Sequence, residues 1–302
     1  MEGVVLRAAS GHFEVWLPHG ERLHCTMRGR LKKEKWRSEL VVAGDRVIVD
    51  RVGPGEGVIV EVFERRSWLV RREPGPRGRH FEDLIVANVD VLFVCVAATA
   101  PPIQPHLVDR LLVAGFLGRM ACAVVFTKVD TLVDEMSRAS AEEWAMIYRQ
   151  AGHEVFWTSA QTGEGISALR EALNHRVSAF VGASGVGKSS LLNAILPELG
   201  LRVGELDSKG RSGTHTTRAV SLHRVGEGWV ADTPGLRDLA LGQVNLQVLH
   251  MAFPEFARLP PCRFRDCRHL NEPGCEVKAA LERGEIAKSR LASFHRILKG
   301  DE

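Results

Sequence analysis

The sequence predicts a multidomain protein with an N-terminal β-barrel, a central doubly wound α/β domain and a C-terminal helical domain. Short β-rich segments, separated by Gly, Pro or charged residues, fill about the first 72 residues. From about residue 88, continuous apolar runs alternate with helical patterns, which is typical of a parallel sheet with helices on both faces. From about residue 246, a helical pattern surrounds a group of cysteines and one histidine.

The N-terminal segments predict five strands, which fit a small closed barrel of the OB type. The strands are expected at 4–8, 12–17, 22–27, 45–52 and 57–63. We expect this barrel to occupy residues 1–75. The segment 73–79 combines Pro, Gly and Arg without periodicity and is interpreted as a linker or loop.

The central part, residues 80–245, alternates strand and helix. Apolar runs at 89–97, 121–126 and 177–181 predict buried strands, and a further strand is expected at 154–157. Helices are expected at 140–152, 166–174 and 188–196. Two further strands are expected within 219–232. Ligand-binding loops in such a sheet lie at the carboxyl ends of the strands, so those ends are where a site is expected.

The stretch after the strand at 177–181 has the form G-x-x-x-x-G-K-S and predicts a phosphate cradle. Backbone N–H groups of such a loop bind phosphate, the lysine contacts the β- and γ-phosphates, and the serine hydroxyl binds Mg²⁺. The alternative is a Gly-rich turn without a ligand. The candidate residues are Gly182, Ala183, Ser184, Gly185, Val186, Gly187, Lys188, Ser189 and Ser190.

Two later segments match the remaining phosphate-side elements of a GTP-binding site. In 230–236, Asp232 and Gly235 form D-x-x-G after a strand, so that Asp232 would bind Mg²⁺ and the Gly235 N–H would sense the γ-phosphate. The loop at 212–220 fits a switch segment, in which Thr217, or alternatively Thr216, would bind Mg²⁺. A plain DTPG turn and a plain Ser/Thr-rich loop are the alternatives.

The candidate base-binding loops precede the cradle. Thr127, Lys128 and Asp130 resemble the guanine motif N-K-x-D, with Asp130 accepting hydrogen bonds from the guanine ring N–H and exocyclic amine. Ser159 and Ala160 resemble the second guanine loop. Adenine would leave the carboxylate unpaired, which disfavours an ATPase. Since the base loops come first, the sequence predicts a circularly permuted order of the usual GTPase elements.

The C-terminal segment, 246–302, contains the spacing C-x4-C-x-H-x5-C. Three thiolates and one imidazole make a closed tetrahedral zinc site, which favours a structural role; an iron–sulfur or redox cluster is the alternative. The ligands would be Cys262, Cys267, His269 and Cys275. The other three cysteines, Cys25, Cys95 and Cys122, are expected to be buried free thiols.

The charge distribution indicates an anionic partner for the N-terminal part. The net charge of the 302 residues is only +3, but residues 1–80 hold 16 Lys+Arg against 11 Asp+Glu. Basic residues interleaved with an aromatic favour RNA binding, a solvated surface being the alternative. The candidates are Arg28, Arg30, Lys32, Lys33, Lys35, Trp36, Arg65 and Arg66.

No apolar run is long enough for a membrane span and no signal peptide is evident, so a cytoplasmic protein is expected.

With these motifs, nearly the whole chain resembles the RsgA (YjeQ) family of circularly permuted GTPases. The resemblance rests on AGDRV at 43–47, ANVD at 87–90, TKVD before the cradle, THTT before DTPG and the Cys/His spacing. It implies a bacterial assembly factor, expected to be monomeric, that binds the immature small (30S) ribosomal subunit near its decoding region. It also implies barrel and zinc-domain contacts with 16S-type rRNA, and GTP hydrolysis with Mg²⁺ that the subunit stimulates.

Two positions depart from the family pattern. Thr127 stands where the family usually has Asn, and Thr214 stands where it usually has a basic residue before the histidine. Leu236 follows DTPG, where many GTPases have a water-orienting Gln, so slow intrinsic hydrolysis is expected. The resemblance implies His215 as the residue that positions the attacking water, a structural histidine being the alternative. A different class of function is an RNA-binding placement factor that uses the nucleotide as a timer. Measuring GTP turnover with and without small subunits distinguishes it from a subunit-stimulated GTPase.

Overall fold

The structure is a computed structural model, which describes residues 1–28, 41–74, 80–200, 220–232, 241 and 244–300. Strands are numbered β1–β13 and helices α1–α8 in chain order over these residues. Within these ranges, none of the helices combines the length and the hydrophobicity that a membrane span requires.

The N-terminal barrel contains the five expected strands. They are β1 (Glu2–Ala9), β2 (His12–Trp16), β3 (Arg22–Met27), β4 (Arg46–Gly53) and β5 (Glu56–Val62). The order β1-β2-β3-β5-β4 closes because β4 also pairs with β1, and β3 and β5 run parallel. Side chains in β3 alternate between exposed and buried, as expected for a strand with one face on a core. The OB-type barrel is therefore confirmed.

A hairpin follows the barrel, where the sequence suggested a linker. Strand β6 (Trp68–Pro74) pairs antiparallel with β7 (His80–Ala87). The prediction for 73–79 was therefore wrong at residues 73 and 74, which continue β6; residues 75–79 lie outside the described part of the chain. Polar and Pro-rich composition did not reveal a strand, because main-chain pairing in an antiparallel ribbon needs no continuous apolar pattern.

The α/β domain contains the predicted buried strands. Its sheet consists of β8 (Val91–Ala97), β9 (Ala121–Thr127), β10 (Glu154–Trp157), β11 (Val177–Val181), β12 (Ser221–Val225) and β13 (Gly228–Asp232). The order is β10-β9-β8-β11-β13-β12, and β12 alone of these six runs antiparallel to its neighbour β13. Every residue of β8 is buried, which explains its unbroken apolar sequence.

Four helices cover the two faces of this sheet: α1 (Pro105–Leu117), α2 (Glu135–Gln150), α3 (Ile166–Leu173) and α4 (Lys188–Ile195). Separate buried clusters lie on the two faces, as a doubly wound sheet requires. Helix α2 begins five residues before the predicted start, because the Asp134 carboxylate accepts a hydrogen bond from the Ser137 N–H (2.7 Å) and caps it.

The C-terminal part consists of α5 (Leu246–Met251), α6 (Pro254–Ala257), α7 (Glu276–Glu282) and α8 (Lys288–Lys299). Its core is aromatic, with Phe253, Phe256 and Phe294 fully buried. Arg290 of α8 is also buried and joins this part to α1. It donates hydrogen bonds to Glu255 (2.6 and 3.1 Å) and to Asp109 of α1 (2.5 Å).

The barrel and the α/β sheet meet through main-chain pairing. Strand β1 pairs antiparallel with β12, with Arg7 opposite Ser221. The described strands of the two parts therefore form one sheet of eleven strands.

Candidate nucleotide-binding site and metal centre

The predicted phosphate cradle connects the end of β11 to the start of α4. Gly182 has φ 144°, and a Cβ at this position would lie 2.3 Å from the Cys95 carbonyl oxygen, so glycine is required. Gly187, with φ 95°, immediately precedes α4. The Lys188 ammonium lies over the turn and donates hydrogen bonds to the carbonyls of Gly182 and Ala183, each at 2.7 Å. The loop thus has the geometry of a phosphate-binding turn at a helix N-terminus.

The two predicted base loops lie side by side. Asp130 belongs to a short 3₁₀ turn after β9, and Ser159 follows β10. The Ser159 hydroxyl donates a hydrogen bond to Asp130 Oδ1 and accepts hydrogen bonds from the N–H groups of Gln161 (3.2 Å) and Thr162 (3.0 Å). This arrangement fixes one carboxylate oxygen and leaves the carboxylate at the strand-end edge of the sheet. Ala160 is exposed next to it.

Lys128 and Thr127 connect the base loops to the phosphate cradle. The Lys128 ammonium donates hydrogen bonds to the carbonyls of Gly185 (2.6 Å) and Ala100 (2.8 Å). The Thr127 hydroxyl contacts the carbonyls of Val186 and Val96. Since Lys128 adopts φ 57°, its side chain reaches back from the end of β9 to the cradle. The base loop and the cradle therefore border one cleft.

A segment not identified from the sequence also borders this cleft. Residues 98–104, between β8 and α1, supply the Ala100 carbonyl to Lys128, and the hydroxyls of Thr99 and Thr131 lie 2.6 Å apart. The segment carries no nucleotide-binding motif. The only available signal was its position directly after a buried parallel strand, which places it at the ligand-binding edge.

Asp232 is the last residue of β13 and lies opposite Ser221. Because β13 runs parallel to β11, with Ala231 opposite Ala179, Asp232 ends at the same edge as the cradle. The side chains of Ser189 and Asp232 provide the hydroxyl and carboxylate oxygens that Mg²⁺ prefers. Gly235, His215, Thr216 and Thr217 lie outside the described residues, as do Thr214 and Leu236.

The four predicted zinc ligands converge around a common centre. Their ligand atoms all lie within 4.8 Å of one another. His269 Nδ1 is 3.7 Å from Cys262 Sγ, 3.5 Å from Cys267 Sγ and 3.4 Å from Cys275 Sγ. Zn–N and Zn–S bonds of about 2.1 and 2.3 Å at tetrahedral angles give an N···S distance of about 3.6 Å. The donor set and its spacing therefore fit a closed tetrahedral zinc site.

Residues around the metal-binding group orient His269. Its Nε2 lies 3.1 Å from Nδ1 of His250, a residue of α5 that the sequence did not single out. Phe256 and Phe294 pack against the His269 ring, at centroid distances of 5.9 and 5.3 Å. Burial lowers the pKa of His269 to about 4, so the imidazole is neutral at pH 7, as a metal ligand must be. The remaining cysteines, Cys25, Cys95 and Cys122, are free thiols that are buried or half-buried, as expected.

The predicted RNA-binding residues divide into three groups. Arg28 and Arg66 are exposed on the barrel side, and Arg66 makes one long ion pair with Asp90 (3.4 Å). Arg65 makes a bidentate pair with the buried Asp45 (2.7 and 2.9 Å), which gives it a structural role in the barrel; its assignment to RNA stays a prediction. Five candidates lie outside the described residues: Arg30, Lys32, Lys33, Lys35 and Trp36.

Comparisons with known proteins agree with this arrangement. The family model described as RsgA GTPase matches residues 62–242. Two relatives named small ribosomal subunit biogenesis GTPase RsgA are similar over 97% of this chain. The one from Gemmatimonas aurantiaca is 40% identical, with 94% of its length covered, and the one from Moorella thermoacetica is 41% identical, with 95% covered.

Two solved structures are similar over 99% of this chain. The crystal structure of YjeQ from Thermotoga maritima is 34% identical in sequence, with a TM-score of 0.82 and 98% of that chain covered. YloQ, described as a circularly permuted GTPase, is 29% identical, with a TM-score of 0.80 and 94% covered. The order of base loops before phosphate cradle in this chain agrees with that description.

Proposed function

The chain belongs to the RsgA GTPase family, and on this premise we propose that it is a GTP-hydrolysing factor in the biogenesis of the small ribosomal subunit. Its relatives carry that function in their names. In this role the protein would act in the cytoplasm, as a monomer that binds immature small subunits.

The observation that carries the proposal is the cleft between Asp130 and Lys188. Lys128 contacts the cradle carbonyl of Gly185, and Asp130 is oriented by Ser159. A guanine nucleotide fits between these loops, its base paired with the Asp130 carboxylate and its phosphates on the N–H groups of residues 182–190. Selection for guanine follows from Asp130, because an adenine base offers no matching pair of donors.

The phosphate side of the cleft is proposed to bind Mg²⁺ through Ser189, Asp232 and Thr217. The cation would neutralise charge on the β- and γ-phosphates. His215 is proposed to position the attacking water in the subunit-bound state, because Leu236 offers no polar group for this task. Replacing His215 with Ala should remove the subunit-stimulated turnover and leave GTP binding intact; unchanged stimulated turnover would contradict the assignment.

The proposed RNA contact is the outer face of the barrel. A groove of about 510 Å³ in the barrel is lined by basic and polar residues, by the two acidic residues Glu14 and Glu56, and by apolar residues of the barrel core. The basic and polar ones are Arg7, His12, His24 and Thr26. The exposed Arg28 and Arg66 add positive charge. Imidazole and guanidinium groups can stack on bases and bind phosphates, which supports rRNA as the partner of this part of the barrel.

The test compares GTP hydrolysis with and without purified small ribosomal subunits. We expect a slow intrinsic rate that rises strongly when subunits are added. Lys188→Ala, which removes the ammonium group from the cradle, should abolish both rates. If subunits bind but leave the rate unchanged in the wild type, the protein is a placement factor that uses the nucleotide as a timer, and the stimulated GTPase function is wrong.

A further inference from the structure

Paired residues on three neighbouring strands connect the barrel to the nucleotide site. Arg7 of β1 lies opposite Ser221 of β12, and Ser221 lies opposite Asp232 of β13. Neighbouring strands are about 4.8 Å apart, so the Asp232 backbone lies only about 10 Å from the first strand of the barrel. A displacement of β1 would therefore act close to the Asp232 carboxylate, at the phosphate side of the cleft.

Side-chain contacts strengthen this junction. The ring of Trp16, in β2, packs edge-to-face on Trp229, with centroids 5.5 Å apart. Trp229 precedes Asp232 by three residues in β13. The guanidinium of Arg224, in β12, lies 5.4 Å from the Trp16 ring. Trp16 thus contacts both strands of the β12–β13 hairpin from the barrel side.

In the sheet, β13 is held by β11, whereas β12 pairs, among the described strands, with β13 and β1. Leu222 and Val225 of β12 also pack into the buried clusters on the two faces of the sheet. At the turn, Arg224 pairs with Glu227 (2.9 and 3.0 Å), and the Glu227 N–H donates a hydrogen bond to Asn174 (2.9 Å). On the side of β12 that faces away from β13, the described contacts are therefore with the barrel, at Ser221 and Arg224.

We propose that Trp16 is a positioning residue of the nucleotide site: by packing on Trp229 and Arg224 it holds the β12–β13 hairpin, and with it the Asp232 carboxylate, at a fixed distance from the phosphate cradle. The inference rests on the proposed function for the role of Asp232.

The positioning role of Trp16 has a thermodynamic consequence. Whatever binds the barrel and shifts Trp16 alters nucleotide and Mg²⁺ affinity, and the nucleotide alters affinity for the barrel's partner by the same factor.

The test measures how dissociation of a fluorescent GDP analogue depends on Mg²⁺ concentration. Trp16→Leu and Arg224→Ala should each raise the half-saturating Mg²⁺ concentration by about three- to tenfold, the range expected for the loss of one aromatic or cation–π contact. Arg22→Ala is the matched control, because Arg22 lies over the same Trp16 ring (5.8 Å) but belongs to the barrel. This control should stay within about twofold of the wild type.

Several outcomes would overturn the proposal. A folded Trp16→Leu variant with the wild-type Mg²⁺ requirement would do so, as would an Arg22→Ala effect as large as that of Arg224→Ala. If Trp16→Leu fails to fold, the Mg²⁺ requirement of Arg224→Ala decides whether the proposal holds.

Asp232→Asn separates the proposed role of Asp232 from the positioning proposal. A wild-type Mg²⁺ requirement in that variant refutes the proposed role of Asp232 and the positioning proposal with it, whereas a shift seen only in Asp232→Asn refutes the positioning proposal alone.

Discussion

The hydroxyl of Ser159 donates a hydrogen bond to the Asp130 carboxylate, although 29 residues separate them in the chain. This contact joins the ends of β9 and β10 and orients one oxygen of the group proposed to pair with guanine. If Asp130 pairs with guanine as proposed, the second loop would contribute to base recognition by holding the first loop's carboxylate.

Replacing Asp130 with Asn should change the preferred base. The amide can donate to the extra carbonyl of xanthine, whereas it cannot accept both guanine donors, so GTP affinity should fall by at least about 100-fold while xanthosine triphosphate gains. Competition binding with both nucleotides measures the change. Ser159→Ala is the control: it keeps the carboxylate and should weaken GTP binding without altering the preference. Equal preference in Asp130→Asn and the wild type would refute the base assignment.

Removing one ligand should empty the metal site. We expect one zinc per chain by elemental analysis of the wild type and little zinc in Cys267→Ser, because a structural site needs its four donors. The C-terminal part should also unfold at lower temperature. Cys122→Ala, which changes a thiol outside the cluster, should retain the metal. Iron in place of zinc, with visible absorption, would instead support the iron–sulfur alternative.

Arg290 should be one of the most sensitive positions for stability. Arg290→Met leaves the buried carboxylates of Asp109 and Glu255 without their cation, which should lower the free energy of unfolding by about 3–5 kcal/mol. Urea denaturation measures this loss. The exposed ion pair between Arg283 and Glu285 provides the comparison, and Arg283→Ala should change stability little. Similar losses in both variants would show that burial of the Arg290 cluster is not the determining factor.

His153 should make the protein acid-sensitive. Burial lowers the pKa of His153 from 6.5 to about 4, and its Nε2 has no hydrogen-bond partner among the described residues. Above pH 6.5 the residue is neutral in both states; as the pH falls from 6.5 to 4, only the unfolded state takes up a proton. Stability is therefore lost over that window, by up to about 3 kcal/mol.

The variant His153→Leu should flatten the dependence of unfolding free energy on pH between 7 and 4.5, whatever its stability at neutral pH. Val133→Thr, which replaces an exposed side chain with one that does not titrate in this range, should retain the wild-type slope. An unchanged slope in His153→Leu would contradict the assignment of the acid sensitivity to this residue.

The strands and the metal-binding cluster could be predicted from the sequence, because apolar runs such as β8 and the Cys/His spacing report burial and donor geometry directly. The cleft could be predicted because parallel strands bring their carboxyl ends together, as Thr127 and Lys188 illustrate. The contacts of Ala100 with Lys128 and of His250 with His269 could not, since a main-chain carbonyl carries no residue-specific signal and His250 is distant in sequence. Two further features could not be predicted, the strands of the hairpin β6–β7 and the ion pair of Arg65 with Asp45, because polar residues can face either solvent or a buried partner.

The continuous eleven-stranded sheet also determines how the molecule can be divided. Deleting the first 87 residues would remove β1, which pairs with β12 at Ser221, and would leave β12 as an edge strand among the described strands, with its outer N–H and C=O groups unpaired there. Such an edge is a template for pairing with another chain, so a truncated fragment that retains every nucleotide-binding loop is expected to self-associate. The β-barrel thus acts as the protective cover of the enzyme's open sheet edge.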